Sequence, residues 1–335
     1  MTNKIDIAII GATSPVGEAI LEQLVKVKFP VNTIVPLAFE EDNDSTIEFD
    51  GKNIHIKNIA EFNFTKVPLV FMCQVGNTYR AVIDRILDAG CRLIEVESNL
   101  QNAPAIVASL DTDNTLLKDS QHIRSASGLS CVLSQILNPL KTEYGLRALH
   151  FTALQSVSDK GKSGIDELAM QTTSLLNTRP IKPSVFKKQI AFNVVPNDTE
   201  NNASGYTIDE LDLIDELETL LFENSSDYSV MPSFIHIPVF YGVSIDMFLE
   251  LEQDTDLSNF EQMISTNPDV ELKSVDELIT PVSHASEMDR IFINRVRQDR
   301  HDARRFNFWC VTDAIKSGSA INSVQIGEIL VKHHL

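Results

Sequence analysis

Residues 4–28 read KIDIAIIGATSPVGEAILEQLVKVK, and the fold is decided there. The apolar run ending at Ile10 predicts a buried strand over residues 4–10. A turn, Gly11-Ala-Thr-Ser-Pro-Val-Gly17, follows, and then a helix to about residue 28. Glycines at a strand-to-helix turn let backbone approach a pyrophosphate, with the unpaired N–H groups and positive dipole of the helix start facing it. Pro15 suits the first helical turn, because its fixed φ is already helical. Gly11, Thr13, Ser14, Val16 and Gly17 are therefore candidate cofactor contacts. The alternative is a tight turn whose glycines serve helix–strand packing only. Ser14, in the middle of the turn, carries a Cβ that crowds close approach.

The same alternation continues downstream. Strands are predicted at 33–39, 69–73, 92–96 and 122–125, with a helix over 77–89. Strands alternating with helices imply a parallel sheet covered on both faces. After the second strand comes Phe39-Glu40-Glu41-Asp42-Asn43-Asp44. An acidic residue there can bond an adenosine ribose, whereas several carboxylates repel a 2′-phosphate. The expectation is that NAD(P) binding is compatible with the fold and that Glu40, Glu41 and Asp42 disfavour NADP. A solvated loop is the plain alternative.

Residues 123–140, IRSASGLSCVLSQILNPL, read as a strand end, a polar turn and an amphipathic helix. Ser127 can cap that helix and Pro139 is expected to limit it. A thiol at such a helix start would be favoured as thiolate. The residue standing there is Gly128. Cys131 follows roughly 4.5 Å further along the axis, either as a small buried hydrophobe or as a substitute nucleophile.

Beyond residue 145 the pattern changes. Strands are predicted at 146–157, 228–241, 243–251, 290–297 and 305–312. Helices are predicted at 163–176 and 207–221, and over 319–333 after a turn at Gly318. Long strands at hairpin-like separations indicate a second, α+β domain with a mixed, largely antiparallel sheet. Lys160-Gly161-Lys162 precedes a helix and could hold an anion or stay solvated. Arg295, Arg297, Arg300, Arg304 and Arg305 could dock an acidic partner or carry charge at a strand edge.

Composition narrows the function. The 335 residues carry a formal net charge of −19, which repels nucleic acid and anionic membrane. No apolar run approaches the roughly 20 residues of a membrane span. The apolar N-terminal stretch is too short for a signal peptide, so a cytoplasmic location is expected. Cys73, Cys91, Cys131 and Cys310 lack the spacing of a metal site or disulfide framework.

Several segments together resemble the aspartate-semialdehyde dehydrogenase family. They are GATSPVG at 11–17, NPL at 138–140, QSVSDKGKSGIDEL at 155–168, IPVFYGVS at 237–244, NRVRQD at 294–299 and VTDAIKSGSAINSVQIGEIL at 311–330. The resemblance implies a Rossmann-like dinucleotide-binding domain of residues 1–127 with 314–335. It also implies a central domain, 128–313, whose sheet makes a homodimer. The family's chemistry is thiolate attack on an aldehyde or acyl phosphate, followed by hydride transfer and phosphorolysis. Its nucleophilic cysteine falls on Gly128 and its histidine base on Val243. The arginine that grips substrate carboxylate falls on His236, and a phosphate-gripping arginine on Gln101. Retained are Gln155, which orients the intermediate, and Glu216, which binds substrate amine. The chain is most similar to the Usg-type paralogues, which also lack the cysteine. The resulting expectation is a catalytically inactive homodimer that binds a metabolite or partner protein. The alternative is a surviving NAD(P)-dependent semialdehyde dehydrogenase of amino-acid biosynthesis.

Overall fold

The computed structural model describes residues 4–39, 45–74, 79–96, 103, 105–110, 115–196, 199, 202–222, 228–285, 289–333 and 335. The chain divides into two units, Met1–Cys131 with Gly318–Leu335, and 132–317. Glu40–Asp44 and Gln101 lie outside the described residues.

The first unit comprises β1 (Ile5–Ile10), α1 (Pro15–Lys26), β2 (Val31–Ala38), β3 (Thr46–Phe49), β4 (Lys52–His55), β5 (Lys57–Asn58), β6 (Leu69–Met72), α2 (Arg80–Asp88), β7 (Arg92–Glu95), β8 (Ala105–Ile106), α3 (Thr115–Asp119) and β9 (His122–Ser125), and then the start of α4 (Gly128–Tyr144). Its main sheet runs β5-β2-β1-β6-β7-β9-β8, and every pairing in it is parallel. The strands bear this out residue by residue: Ile7–Ile10 and Leu69–Met72 are wholly buried, as strands covered on both faces must be. The chain leaves β1 for β2 on one side and returns to β6 on the other. The strand order thus reverses at β1, the crevice where open α/β sheets take ligands.

The C-terminal helix belongs to this unit. In α8 (Ile321–His333), Asn322 is 2 % exposed. Its amide donates to Ile106 O and Ser125 Oγ and accepts from Ala108 N, all at 2.8 Å. Three buried polar groups at the strand ends thereby find partners in one side chain. Gly318 is not the turn before this helix but lies inside a π-helical segment, Ala314–Ala320.

One expectation fails. Pro139 does not end α4, which continues to Tyr144. Proline removes one helical hydrogen bond, but Leu137 and Leu140 on either side of it are wholly buried, and that packing holds the helix together. The helix stops where Gly145 takes a left-handed φ of 70° and its N–H bonds Lys141 O at 2.9 Å.

The second unit continues from α4 with β10 (Leu146–Gln155), α5 (Gly161–Leu176), β11 (Val195–Pro196), α6 (Ile208–Leu217), β12 (Ser229–His236), β13 (Val243–Leu251), α7 (Leu257–Ile264), β14 (Val270–Leu272), β15 (Ile291–Gln298) and β16 (Arg305–Thr312). Its sheet runs β11-β12-β10-β13-β16-β15-β14. β10–β12 and β14–β15 pair parallel and the rest antiparallel, the mixed sheet that was expected. β12 ends at His236 rather than running to Tyr241, because the chain bends where Val239 N bonds Ile237 O. Along β12, Val230, Pro232, Phe234 and His236 are buried while Met231 and Ser233 are exposed, so one face of the sheet is covered and the other is open.

Candidate functional site

The glycine turn sits at the β1/β6 reversal. Gly11 has φ +76°, and a Cβ there would stand 2.7 Å from Gln74 Cβ. A Cβ on Gly17 would collide with Gly11 O and lie 2.8 Å from Ala12 Cα, so only glycine lets α1 start against the strand end. Ser14 caps α1: its Oγ accepts from Gly17 N at 3.0 Å and donates to Gly11 O at 2.8 Å, with Cys73 O at 3.2 Å. Its hydroxyl thus closes the turn upon itself and ties it to the end of β6. Thr13 is exposed, while Val16 is buried in the helix face. The narrow glycine cradle and the capped helix start fit a dinucleotide pyrophosphate.

At the start of α4, Ser127 Oγ accepts from Ser130 N at 3.2 Å, the capping bond predicted from the sequence. Gly128 is the first helical residue. Cys131 is wholly buried and its thiol donates to Ala126 O at 3.3 Å.

In the second unit, strand register gathers what the sequence scattered. Val195 pairs with His236, His236 with Gln155, Gln155 with Val243, and Val243 with Thr312. These five residues form one row across β11, β12, β10, β13 and β16. Directly paired residues face the same side of a sheet. Val243 is 5 % exposed and His236 1 %. The imidazole stands edge-on to the Phe186 ring, centroids 5.3 Å apart at 70°. Glu216 is buried on α6.

Phe186 is held there by residues the sequence reading passed over. Glu167, 2 % exposed on α5, accepts from Ser184 N, Ser184 Oγ and Val185 N, and from the amide of Gln171. Gln171 Oε1 in turn accepts from Ile190 N and Ala191 N. Burial pushes the Glu167 carboxyl up, but the bonds from Ser184, Val185 and Phe186 outweigh it and leave the group below its ordinary range. The signal available beforehand was the i, i+4 spacing of two polar residues on an otherwise buried helix face.

Two of the five arginines, Arg304 and Arg305, lie against nearby carboxylates, while Arg295, Arg297 and Arg300 are exposed. Arg304 grips Asp302 through two bonds, at 3.0 and 2.8 Å, and Arg305 Nε lies 2.9 Å from Glu250 Oε2. Lys160 Nζ lies 3.9 Å from Asp159. Among the described residues no cluster of His, Cys, Asp and Glu could hold a metal ion, and no helix is long and apolar enough to cross a membrane.

Comparison with known proteins agrees with this geometry. Residues 6–121 match the family model described as semialdehyde dehydrogenase, NAD binding domain, and residues 137–316 the one described as semialdehyde dehydrogenase, dimerisation domain. The chain belongs to the semialdehyde dehydrogenase family. It is 33 % identical to a USG-1 protein homolog of Azotobacter vinelandii over 99 % of both chains. It is 31 % identical to aspartate-semialdehyde dehydrogenase 2 of Vibrio cholerae over the full length of both. The crystal structure of aspartate semialdehyde dehydrogenase II from Vibrio cholerae matches with a TM-score of 0.93 at 30 % identity, covering 99 % of this chain and 100 % of that one. The expected family, with its Usg-type relatives, is borne out, as is the pairing of a Rossmann-like domain with a mixed-sheet domain.

Proposed function

We propose that this chain is a non-catalytic, homodimeric member of the semialdehyde dehydrogenase family, retained to bind a metabolite or a partner protein. The observation that carries the reading is Gly128: the helix start that would activate a thiolate bears no side chain. The row in the second unit agrees with it. Val243 offers no proton-accepting atom at the family's base position. His236, at the carboxylate-gripping position, is buried under Phe186 and lacks the forked donors with which arginine holds a carboxylate. Gln155 and Glu216 stand at positions where the family orients intermediate and amine.

A nicotinamide dinucleotide, when bound, supplies hydride chemistry. In this chain Gly11, Thr13, Ser14, Val16 and Gly17 would hold it at the start of α1. Dimerisation through the open face of the second sheet is supported by the dimerisation-domain match and by Met231, which is 51 % exposed there. A cytoplasmic location accords with the sequence reading.

The purified protein is assayed for NADPH formation from aspartate semialdehyde and phosphate, and for thermal shift with NAD and NADP. No turnover is expected. A dinucleotide present at a hundred times its Kd would add about 2.7 kcal/mol. Turnover abolished by Cys131→Ser would overturn the reading by locating the nucleophile one helical turn away.

A further inference from the structure

Residues 271–285 and 289–294 of the second unit carry a linked set of groups that the family's chemistry does not use. The π-helical turn Pro281–Ala285 projects the exposed Ser283 and the half-buried His284. Ser283 Oγ lies 2.7 Å from His284 Nδ1, and His284 Nε2 lies 3.3 Å from Glu277 Oε1. The tautomer follows from the surroundings. The backbone N–H of Thr280 also points at His284 Nδ1, at 3.4 Å, and an N–H can only donate. Nδ1 is therefore the acceptor and Nε2 carries the proton toward Glu277. Ser283 is left to donate to Nδ1, while Thr280 Oγ1, 2.7 Å away, can donate to the serine oxygen.

The set is braced from behind. The imidazole stands edge-on to Phe292 at 5.0 Å. The buried Asn294 amide donates to the Glu277 backbone carbonyl. Lys273 Nζ lies 3.5 Å from Glu277 Oε1 and 2.7 Å from Glu271, which Arg290 approaches at 3.7 Å. The His284 bond, aided by Lys273, holds the Glu277 carboxyl below its ordinary range. Val275, Leu278 and Val282 of the same stretch are 69, 83 and 74 % exposed, offering apolar surface.

We propose that Ser283 is an activated nucleophile, with His284 as its general base and Glu277 as a positioning residue, forming an acyl-accepting centre for small apolar esters. The serine–base–orienter arrangement is the pattern that nucleophilic catalysis requires. Ser283 Oγ forms a bond to the ester carbonyl carbon while its proton passes to His284 Nδ1. That proton moves to the departing alkoxide as its C–O bond breaks. Water, deprotonated by His284, then attacks the acyl-serine and releases the carboxylic acid, returning the proton to Ser283.

The full-length protein is treated with a fluorophosphonate, which loses fluoride as the serine oxygen bonds to phosphorus, and separately with p-nitrophenyl acetate. A single adduct mapping to Ser283 and nitrophenol release above buffer are expected. Ser283→Ala should abolish both, and His284→Gln should slow labelling by about 10²-fold or more. Glu277→Gln should slow labelling and Glu277→Asp should restore it, since the carboxylate accepts from His284 Nε2. Rescue by the conservative variant separates a positioning role from a merely structural one, and it stands even where His284→Gln fails to fold. An unlabelled Ser283 in folded protein, or labelling equally fast in a folded His284→Gln variant, would overturn the proposal.

Discussion

Gly318 and Gly128 meet backbone to backbone. A Cβ at 318 would lie 2.8 Å from both the Cα and the carbonyl carbon of Gly128, and closer still to its oxygen. Backbone at the start of a helix cannot swing aside as a flexible side chain can. Gly318→Ala is therefore expected to destabilise the protein by about 1–3 kcal/mol, the usual range for overpacking. The measurement is urea unfolding, with a lowered midpoint at constant slope. An unchanged midpoint would mean that this contact opens freely.

Glu167 should make stability pH-dependent. Its carboxyl lies below the ordinary range when folded, so the unfolded chain binds the proton more tightly. The contribution is present at neutral pH and is lost as pH falls through the ordinary glutamate value of about 4.3 toward the folded one. Glu167→Gln should cost about 1–3 kcal/mol at pH 7, because the Ser184 and Val185 donors lose a charged acceptor. It should also flatten the acid limb of the stability curve. An unaltered acid limb in the variant would assign that limb to other carboxylates.

The thiols should be inert in the native protein. Cys73, Cys91, Cys131 and Cys310 are all buried. Burial pushes the Cys310 thiol up to about 12 and raises Cys91 as well. Thiolate is the reactive species, so iodoacetamide should label all four far more slowly than in the denatured chain. Rapid native labelling of Cys131 would identify an open, electropositive site at α4.

Gly128→Cys should create a reactive thiol without creating an enzyme. The first residue of α4 has helical backbone that cysteine adopts, and the helix dipole lowers a thiol pKa there. Alkylation should be fast and NADPH formation undetectable, because Val243 supplies no base and His236 no bidentate grip. Groups that act as a unit fail as a unit. Adding Val243→His and His236→Arg is the smallest further change expected to give measurable turnover. Robust activity of the single variant would show that other residues already fill both roles.

What could be read beforehand depended on how far apart the interacting residues lie in the chain. The turn from Gly11 to Gly17, the Ser127 cap and the parallel order of the first sheet follow from chemistry acting over a few residues. Glycine admits a left-handed φ, a hydroxyl reaches the N–H three positions on, and continuous apolar strands require cover on both faces. Pro139 was misjudged for the same reason, since its local cost was visible and the burial of Leu137 and Leu140 was not.

The sequence alone therefore determined the family and the two kinds of domain, and put a glycine at the start of α4. Tertiary structure decided the rest. Strand register places His236, Gln155, Val243 and Thr312 in one row, although they come from four separate strands. Phe186 reaches His236 only because Glu167 and Gln171 satisfy the backbone of its loop. Ser283, His284 and Glu277 are near neighbours in sequence, yet their hydrogen bonds depend on a π-helical turn and on the Phe292 ring beneath the imidazole. Such contacts arise from pairing and packing between distant segments, which no local periodicity encodes.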